Sequence, residues 1–523
     1  MAHFSDFNTL SLHSLNKSFG FIVFTTWLLL NVSCDSKHKA EKLFQLLPSN
    51  TTGVTFSNDL VFTEEYNPYT FKNFFNGGGV GVGDINNDGL MDIYFAGNLA
   101  DNRLYLNKGN LVFEDITQKA GVACKEVWSS GVTFVDINAD GWTDIYVCKS
   151  GKPGGNNRHN ELFINNGNLT FTEKSKEYGL DFIGLSTHAA FFDYDRDGDL
   201  DCYLLNNSLR SVGGYDIVEG LREITDTLGG NRLLRNEHIV RYSADSLLTS
   251  PTIRFKDVSK TAGIYGSAIG FGLGVSISDL NDDQWPDLYV SNDFFERDYL
   301  YLNNQDGTFR EVITSATQEL SLGSMGADIA DIDNDGLPDI FVTEMLPEKM
   351  SRYKTKSLFE NWDKYTLNGS KGYHRQFGRN VLQINQGNCG KEDDLRFTEI
   401  SRYSGLDATD WSWGALIADF NNDGNRDIFI ANGIYKDLTD LDYVNFDFNP
   451  EAIKGMIDKK EQVISRMMEK VPSEPQQNYL FLNKGNYNFT NAAELSGLEK
   501  PTFSNGSVYA DLEMCIRDSY SDL

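Results

Sequence analysis

Two phrases that alternate along the chain, with short apolar runs between them, predict an all-β fold: a seven-bladed β-propeller whose last blade is incomplete, carrying loop and helical insertions. The first phrase is an acidic loop, Asp84-Ile-Asn86-Asn-Asp88-Gly89-Leu-Met-Asp92-Ile-Tyr94. It sets an acid first, Asn or Asp third, Asp fifth, Gly sixth and Asp ninth, and runs into an apolar–aromatic pair. It recurs as Asp136/Asn138/Asp140/Asp144, Asp193/Asp195/Asp197/Asp201, Asp279/Asn281/Asp283/Asp287, Asp331/Asp333/Asp335/Asp339 and Asp419/Asn421/Asp423/Asp427. The second phrase is Leu104-Tyr-Leu-Asn107-Lys-Gly109 followed by Phe113; it returns around Asn165, Asn303, Asn385 and Asn483. Such self-similarity is the mark of units that bury their apolar faces against one another.

The chain opens with His3, His13 and Lys17, an apolar run from Phe19 to Leu30, and then Asn31-Val-Ser-Cys34. A polar start, a short apolar core and small residues predict an export signal over residues 1–34, too short for a comfortable membrane span. The last four residues resemble a lipoprotein cleavage box, which implies lipid attachment at Cys34 and an anchor in the membrane; Asn31 departs from the usual Leu. A polar tether is expected over 35–53 and the propeller over 54–512.

Within one unit, apolar runs fall before the acidic loop (Gly79 to Gly83), after it (Ile93 to Phe95), at Leu104 to Leu106 and around Phe113. All are short and bounded by turn residues, giving four strands per blade. Four-stranded units arrayed about an axis protect most of their edges, which favours a propeller. The loops begin at 84, 136, 193, 279, 331 and 419, so the wider intervals hold insertions: Ser208 to Thr252, Leu346 to Arg379 and Tyr435 to Gln477. The last contains Ile453, Met456, Ile457, Val463, Ile464 and Met467 at helical spacing, predicting an amphipathic helix over 450–470. These insertions are expected to project and to carry binding specificity. Asp511 begins a seventh approach, but residues 513–523 do not continue it and read as a spurious tail.

A net charge of −29 opposes a phosphate backbone and excludes nucleic acid as a natural partner. Divalent cations suit it. Calcium takes six to eight hard oxygen ligands at flexible geometry, and positions one, three, five and nine of each loop aim side-chain oxygens at one centre while Gly at six permits the turn. Several structural calcium ions are therefore expected. Magnesium demands stricter octahedral geometry, and transition metals want His or Cys, which the loops lack. An EF-hand would need Glu at position twelve and flanking helices. An isolated loop of this kind could be a plain Asx turn; six in register argue against that for the array. The fourth loop has Gln284 where Gly is expected.

The loops and the Asn phrases resemble FG-GAP/VCBS repeats of integrin-α-like propellers, which implies calcium within the blades. Longer phrases, Asn73-Phe-Phe-Asn-Gly-Gly-Gly79, Asn292-Asp-Phe-Phe-Glu-Arg-Asp-Tyr299, Thr343-Glu-Met-Leu-Pro347 and Ala408-Thr-Asp-Trp-Ser-Trp413, are similar to the bacterial type related to ASPIC/UnbV-domain and cartilage-acidic-protein-like proteins. Relatives of that type often end in an ASPIC/UnbV domain, so the resemblance implies that this chain is C-terminally truncated near Asp511.

No GxSxG, GxxxxGK[ST], HExxH or CxxC motif occurs. His188, His238 and His374 read as packing or surface residues, and Cys148 and Cys202 as strand packing. The resulting expectation is an exported, calcium-stabilised binding module for a glycan or protein at the cell surface, held by a lipid on Cys34 or else secreted. Abundant carboxylates keep a surface polysaccharide hydrolase or lyase as the alternative. A structural partner in an uptake or adhesion complex is a third reading. Trp411 and Trp413 are the candidate stacking site for a ligand, weighed against packing between blades.

Overall fold

The computed structural model describes residues 42–151, 157–208, 220–239, 252–356, 362–388, 395–447 and 462–512. Six antiparallel four-stranded sheets follow one another along them, each built from consecutive strands. Blade one is Val80–Gly83, Asp92–Phe95, Arg103–Asn107 and Phe113–Asp115. Blade two runs from Ser129–Val135 to Phe171–Glu173, and blade three from Ser186–Phe192 to Thr252–Asp257. Blade four runs from Gly272–Ser278 to Phe309–Glu311, blade five from Ala327–Ala330 to Leu395–Glu399, and blade six from Ser412–Ala418 to Phe489–Asn491.

In blades two to six the second strands, such as Asp287–Asn292 and Asp427–Asn432, are buried at every residue. Each lies inside its sheet with a neighbouring blade on both faces, so it reads as a continuous apolar run rather than an alternation. From blade one to blade six, each consecutive pair shares its own apolar cluster. Tyr94 and Leu104 meet Ile145 and Phe163 between blades one and two, and Tyr203 and Leu205 meet Leu288 and Tyr301 between three and four. Phe341 and Leu382 meet Ile428 and Phe481 between five and six. Full burial of one such side chain is worth about 1.5–3 kcal/mol, so the energy that orders the blades lies between them.

The blades number six among the described residues, not seven. Beyond blade six, residues 502–512 cross back to blade one: Ser504 N–H donates to Asn432 O, Asn505 Nδ2 to Phe75 O and Asn107 Nδ2 to Leu512 O. This segment forms no four-stranded ladder, because no Asx-Gly turn follows Asp511 to send the chain back antiparallel. Residues 513–523, read above as a tail, lie outside the described residues.

Packing reaches nearer the N-terminus than residue 54. Leu43 and Phe44 join Phe420 and Phe429 on the far face of blade six, and Phe44 N–H donates to Ser496 O. The region expected as the first insertion is interrupted by the third strand of blade three, Arg232–Ile239. Leu233-Leu-Arg-Asn236 keeps the Leu-x-x-Asn spacing of the second phrase but lacks its aromatic and its Gly, which is why the sequence hides it. In the third insertion a helix spans Val463–Lys470 with Met467 and Met468 buried; residues 448–461 lie outside the described residues. The insertions do not project freely. Tyr443, Met468 and Val471 close over Phe71, Phe74, Trp128, Met325 and Trp413 in one cluster at the N-terminal ends of the innermost strands, opposite the acidic loops.

Candidate metal centres in the blade loops

Each acidic loop connects the first and second strands of its blade, and the same hydrogen bonds shape all six. The position-one carboxylate takes the N–H groups of positions five and six: Asp84 from Asp88 at 3.3 Å and Gly89 at 2.7 Å, Asp331 from Asp335 at 3.1 Å and Gly336 at 3.0 Å. The position-five carboxylate takes the N–H of position seven, as Asp140 does from Trp142 at 2.9 Å. Position six needs a left-handed backbone; Gly141 has φ 86° and Gln284, in the fourth loop, holds φ 70°. The fourth loop thus keeps the common geometry despite its missing glycine.

Position nine is different in kind. Asp92, Asp144, Asp201, Asp287, Asp339 and Asp427 are buried at the start of the second strand. One oxygen of Asp92 takes the Ile85 N–H at 3.0 Å and the other the Asn107 N–H at 2.7 Å. The pair repeats in every blade, with Asp201 taking Tyr194 and Asn236 N–H, and Asp427 taking Phe420 and Asn483 N–H. This carboxylate therefore ties its loop to the third strand, a role that loop spacing alone does not reveal. Burial pushes its pKa up, to about 7 at Asp92, Asp144, Asp287 and Asp339, about 8 at Asp201 and about 6 at Asp427, against the opposing effect of these backbone donors.

The Asn of the second phrase carries the tie to the next blade. Asn165 Nδ2 donates to Ile85 O at 2.8 Å, Asn303 to Tyr194 O at 2.8 Å, Asn385 to Leu280 O at 2.9 Å and Asn483 to Ile332 O at 2.9 Å. In each case the acceptor is position two of the preceding blade's loop. Asn107 donates in the same way to Leu512, which follows Asp511.

Positions one, three and five converge. Carboxylate oxygens of Asp193, Asp195 and Asp197 lie within 4.8 Å of one another, as do those of Asp331, Asp333 and Asp335. Where position three is Asn, its amide bridges to position five: Asn86 to Asp88, Asn138 to Asp140 and Asn281 to Asp283 at 2.9 Å, and Asn421 to Asp423 at 3.0 Å. Asn86 Oδ1 and Asp195 Oδ1 are buried without a hydrogen-bond partner. An all-oxygen donor set with an orphaned oxygen at position three fits a hard divalent cation, which would be held by positions one, three and five above the position-nine carboxylate.

Trp411 and Trp413 stand elsewhere, in the apolar cluster at the opposite end, with Trp413 buried and its Nε1 donating to Gly433 O at 2.7 Å. Cys148 and Cys202 are buried free thiols in second strands. Cys34 lies outside the described residues. Sequence reasoning missed Arg352, which is buried with a bidentate grip on Asp410, its Nη2 2.7 Å from Oδ1. The same guanidinium reaches Glu474 at 2.8 Å, and Lys356 pairs with Asp437 at 2.9 Å and with Asp440.

An FG-GAP-like repeat model matches residues 84–147 and 279–342, each running from one acidic loop through the next. Cartilage acidic protein 1 of Xenopus tropicalis is 30% identical over 405 residues, 73% of this chain and 52% of that protein. Human integrin alpha-6 is 33% identical over 87 residues, 15% of this chain and 8% of that one. The chain thus spans about half the length of the cartilage acidic protein it matches. The structure of an Agrocybe aegerita lectin recognising non-reducing terminal N-acetylglucosamine overlaps 79% of this chain and 78% of its own at a TM-score of 0.39 and 14% identity, too distant to argue from.

Proposed function

We propose that this β-propeller with FG-GAP-like repeats is an exported binding module whose blade loops hold structural calcium and whose ligand is a glycan or protein at the cell surface. The observation that supports the metal reading is the convergence of three carboxylates within 4.8 Å at Asp193/Asp195/Asp197 and again at Asp331/Asp333/Asp335. Three negative charges so close repel one another, and a divalent cation converts that repulsion into attraction. Binding only the folded state, each ion then stabilises the blade by mass action.

A binding module should retain ligands without changing them. Incubation of the purified protein with immobilised glycan and surface-protein panels is expected to give calcium-dependent retention with no product by mass spectrometry. Turnover of a polysaccharide would move the reading to a hydrolase or lyase. For the anchor, metabolic labelling with an alkyne fatty acid is expected to mark the wild-type chain and not Cys34→Ala; equal labelling of both would remove the lipoprotein reading.

A further inference from the structure

Five residues before the first acid of each loop, the innermost strands approach the axis at Gly79, Gly131, Gly274, Gly326 and Gly414, and Gly506 holds the same offset before Asp511. At Gly79, Gly131 and Gly326 the approach is close enough to require glycine. A Cβ at Gly131 would lie 2.4 Å from Thr187 O, and one at Gly326 would lie 2.5 Å from Trp413 O. Blade three breaks the pattern, with His188 in the glycine's place. These strands enclose an axial cavity of about 310 Å³, and His188 lines it.

The lining is otherwise uncharged. No Asp, Glu, Lys or Arg contributes to it, although the chain carries a net charge of −29. Two lining hydroxyls, Ser150 Oγ and Ser507 Oγ, are shielded from solvent without a hydrogen-bond partner, and Ser150 is only 2% exposed. A buried hydroxyl left unpaired costs about 1–3 kcal/mol, so groups of this kind mark a place where a ligand's own polar atoms belong. Trp128 and Trp413 form the aromatic rim, each fixed by packing in the apolar cluster. Burial lowers the pKa of His188 and keeps its ring neutral, able to donate from one nitrogen and accept at the other.

We propose that the axial cavity is a ligand site for an uncharged, hydroxyl-rich molecule the size of a single sugar residue, with His188, Ser150 and Ser507 reading its hydroxyls and Trp128 and Trp413 offering an apolar edge. The chemistry is that of a neutral sugar: alternating donors and acceptors meet hydroxyls that do both, and no lining charge is present to favour an ion. The volume lies at the low end for ligand pockets, which suits one sugar unit and not a long chain. The inference rests on the binding-module reading and names the site and ligand class within it.

Histidine-selective 13C-labelled full-length protein, titrated with D-glucose, D-galactose and D-mannose, tests it, with His188→Gln assigning the imidazole signal. At least one sugar is expected to shift the His188 signal saturably. Ser507→Leu, which fills the cavity, should abolish that shift, and in isothermal titration calorimetry with the same sugar His188→Ala should weaken binding tenfold or more; an unchanged melting temperature would show that both variants are folded. A His188 signal unmoved by all three sugars, while the panels above retain a glycan or protein, overturns the axial site and leaves the binding module standing. Failure of both experiments removes both readings.

Discussion

Position nine of the loops shows what a single carboxylate can do twice. Asp92 accepts from Ile85 on its own loop and from Asn107 fifteen residues along, so it fixes the turn and the third strand together. Its spacing from Asp84 was legible in the sequence because metal-ligand patterns are local. Its second role was not, because it depends on which backbone N–H the fold brings beside it. Position six can be tested by exchange. Gly141 has φ 86° and open space where a Cβ would go, so Gly141→Ala pays only in backbone strain and should lose about 1 kcal/mol. Gln284→Gly, at φ 70°, should move the other way, gaining up to about 1 kcal/mol once the added freedom of the unfolded chain is subtracted. Denaturant unfolding of the two variants checks both signs; a loss for Gln284→Gly would mean that its side chain contributes more than its strain costs.

Among the elements, the insertions depart furthest from what their sequences imply. The apolar face of Val463–Lys470 was legible as helical periodicity, and Met467 and Met468 are buried on it. Its docking partner was not legible, because Phe71 and Phe74 belong to its cluster from a segment distant in the chain. The same holds for the clasp in which Arg352 and Lys356 of the second insertion grip Asp410 and then Asp437, Asp440 and Glu474 of the third. Charges scattered over more than a hundred residues become a cluster only when blades five and six set both insertions side by side. It also gives a structural role to Asp410 in the Ala408-to-Trp413 phrase. Arg352→Met would strand the buried Asp410 carboxylate, so it is expected to cost about 3 kcal/mol and to open the Met350–Lys356 helix to limited proteolysis. Unchanged cleavage and stability would show that the clasp contributes no net energy.

At the scale of the molecule, the blade repeat was legible because each unit restates one loop and one Leu-x-x-Asn strand. The number of blades was not: six four-stranded sheets stand among the described residues, and residues 502–512 complete the contact between blade six and blade one. Beside the shared apolar clusters, cross-blade bonds from Asn165, Asn303, Asn385 and Asn483 reach the preceding acidic loop, whereas Asn236 of blade three donates within its own blade to Leu200 O. Order in one loop is therefore communicated to its neighbour through a single amide. If cations sit in these loops, their loss should loosen interfaces and not only turns, and the ring should respond as a unit. Differential scanning calorimetry of the purified protein before and after exhaustive chelation tests this most directly. The account predicts a fall in melting temperature of about 10 °C or more, since each occupied site can add about 2.7 kcal/mol at a hundredfold excess of ion over Kd. Calcium should restore the transition in preference to magnesium. A melting temperature unchanged by chelation would contradict it.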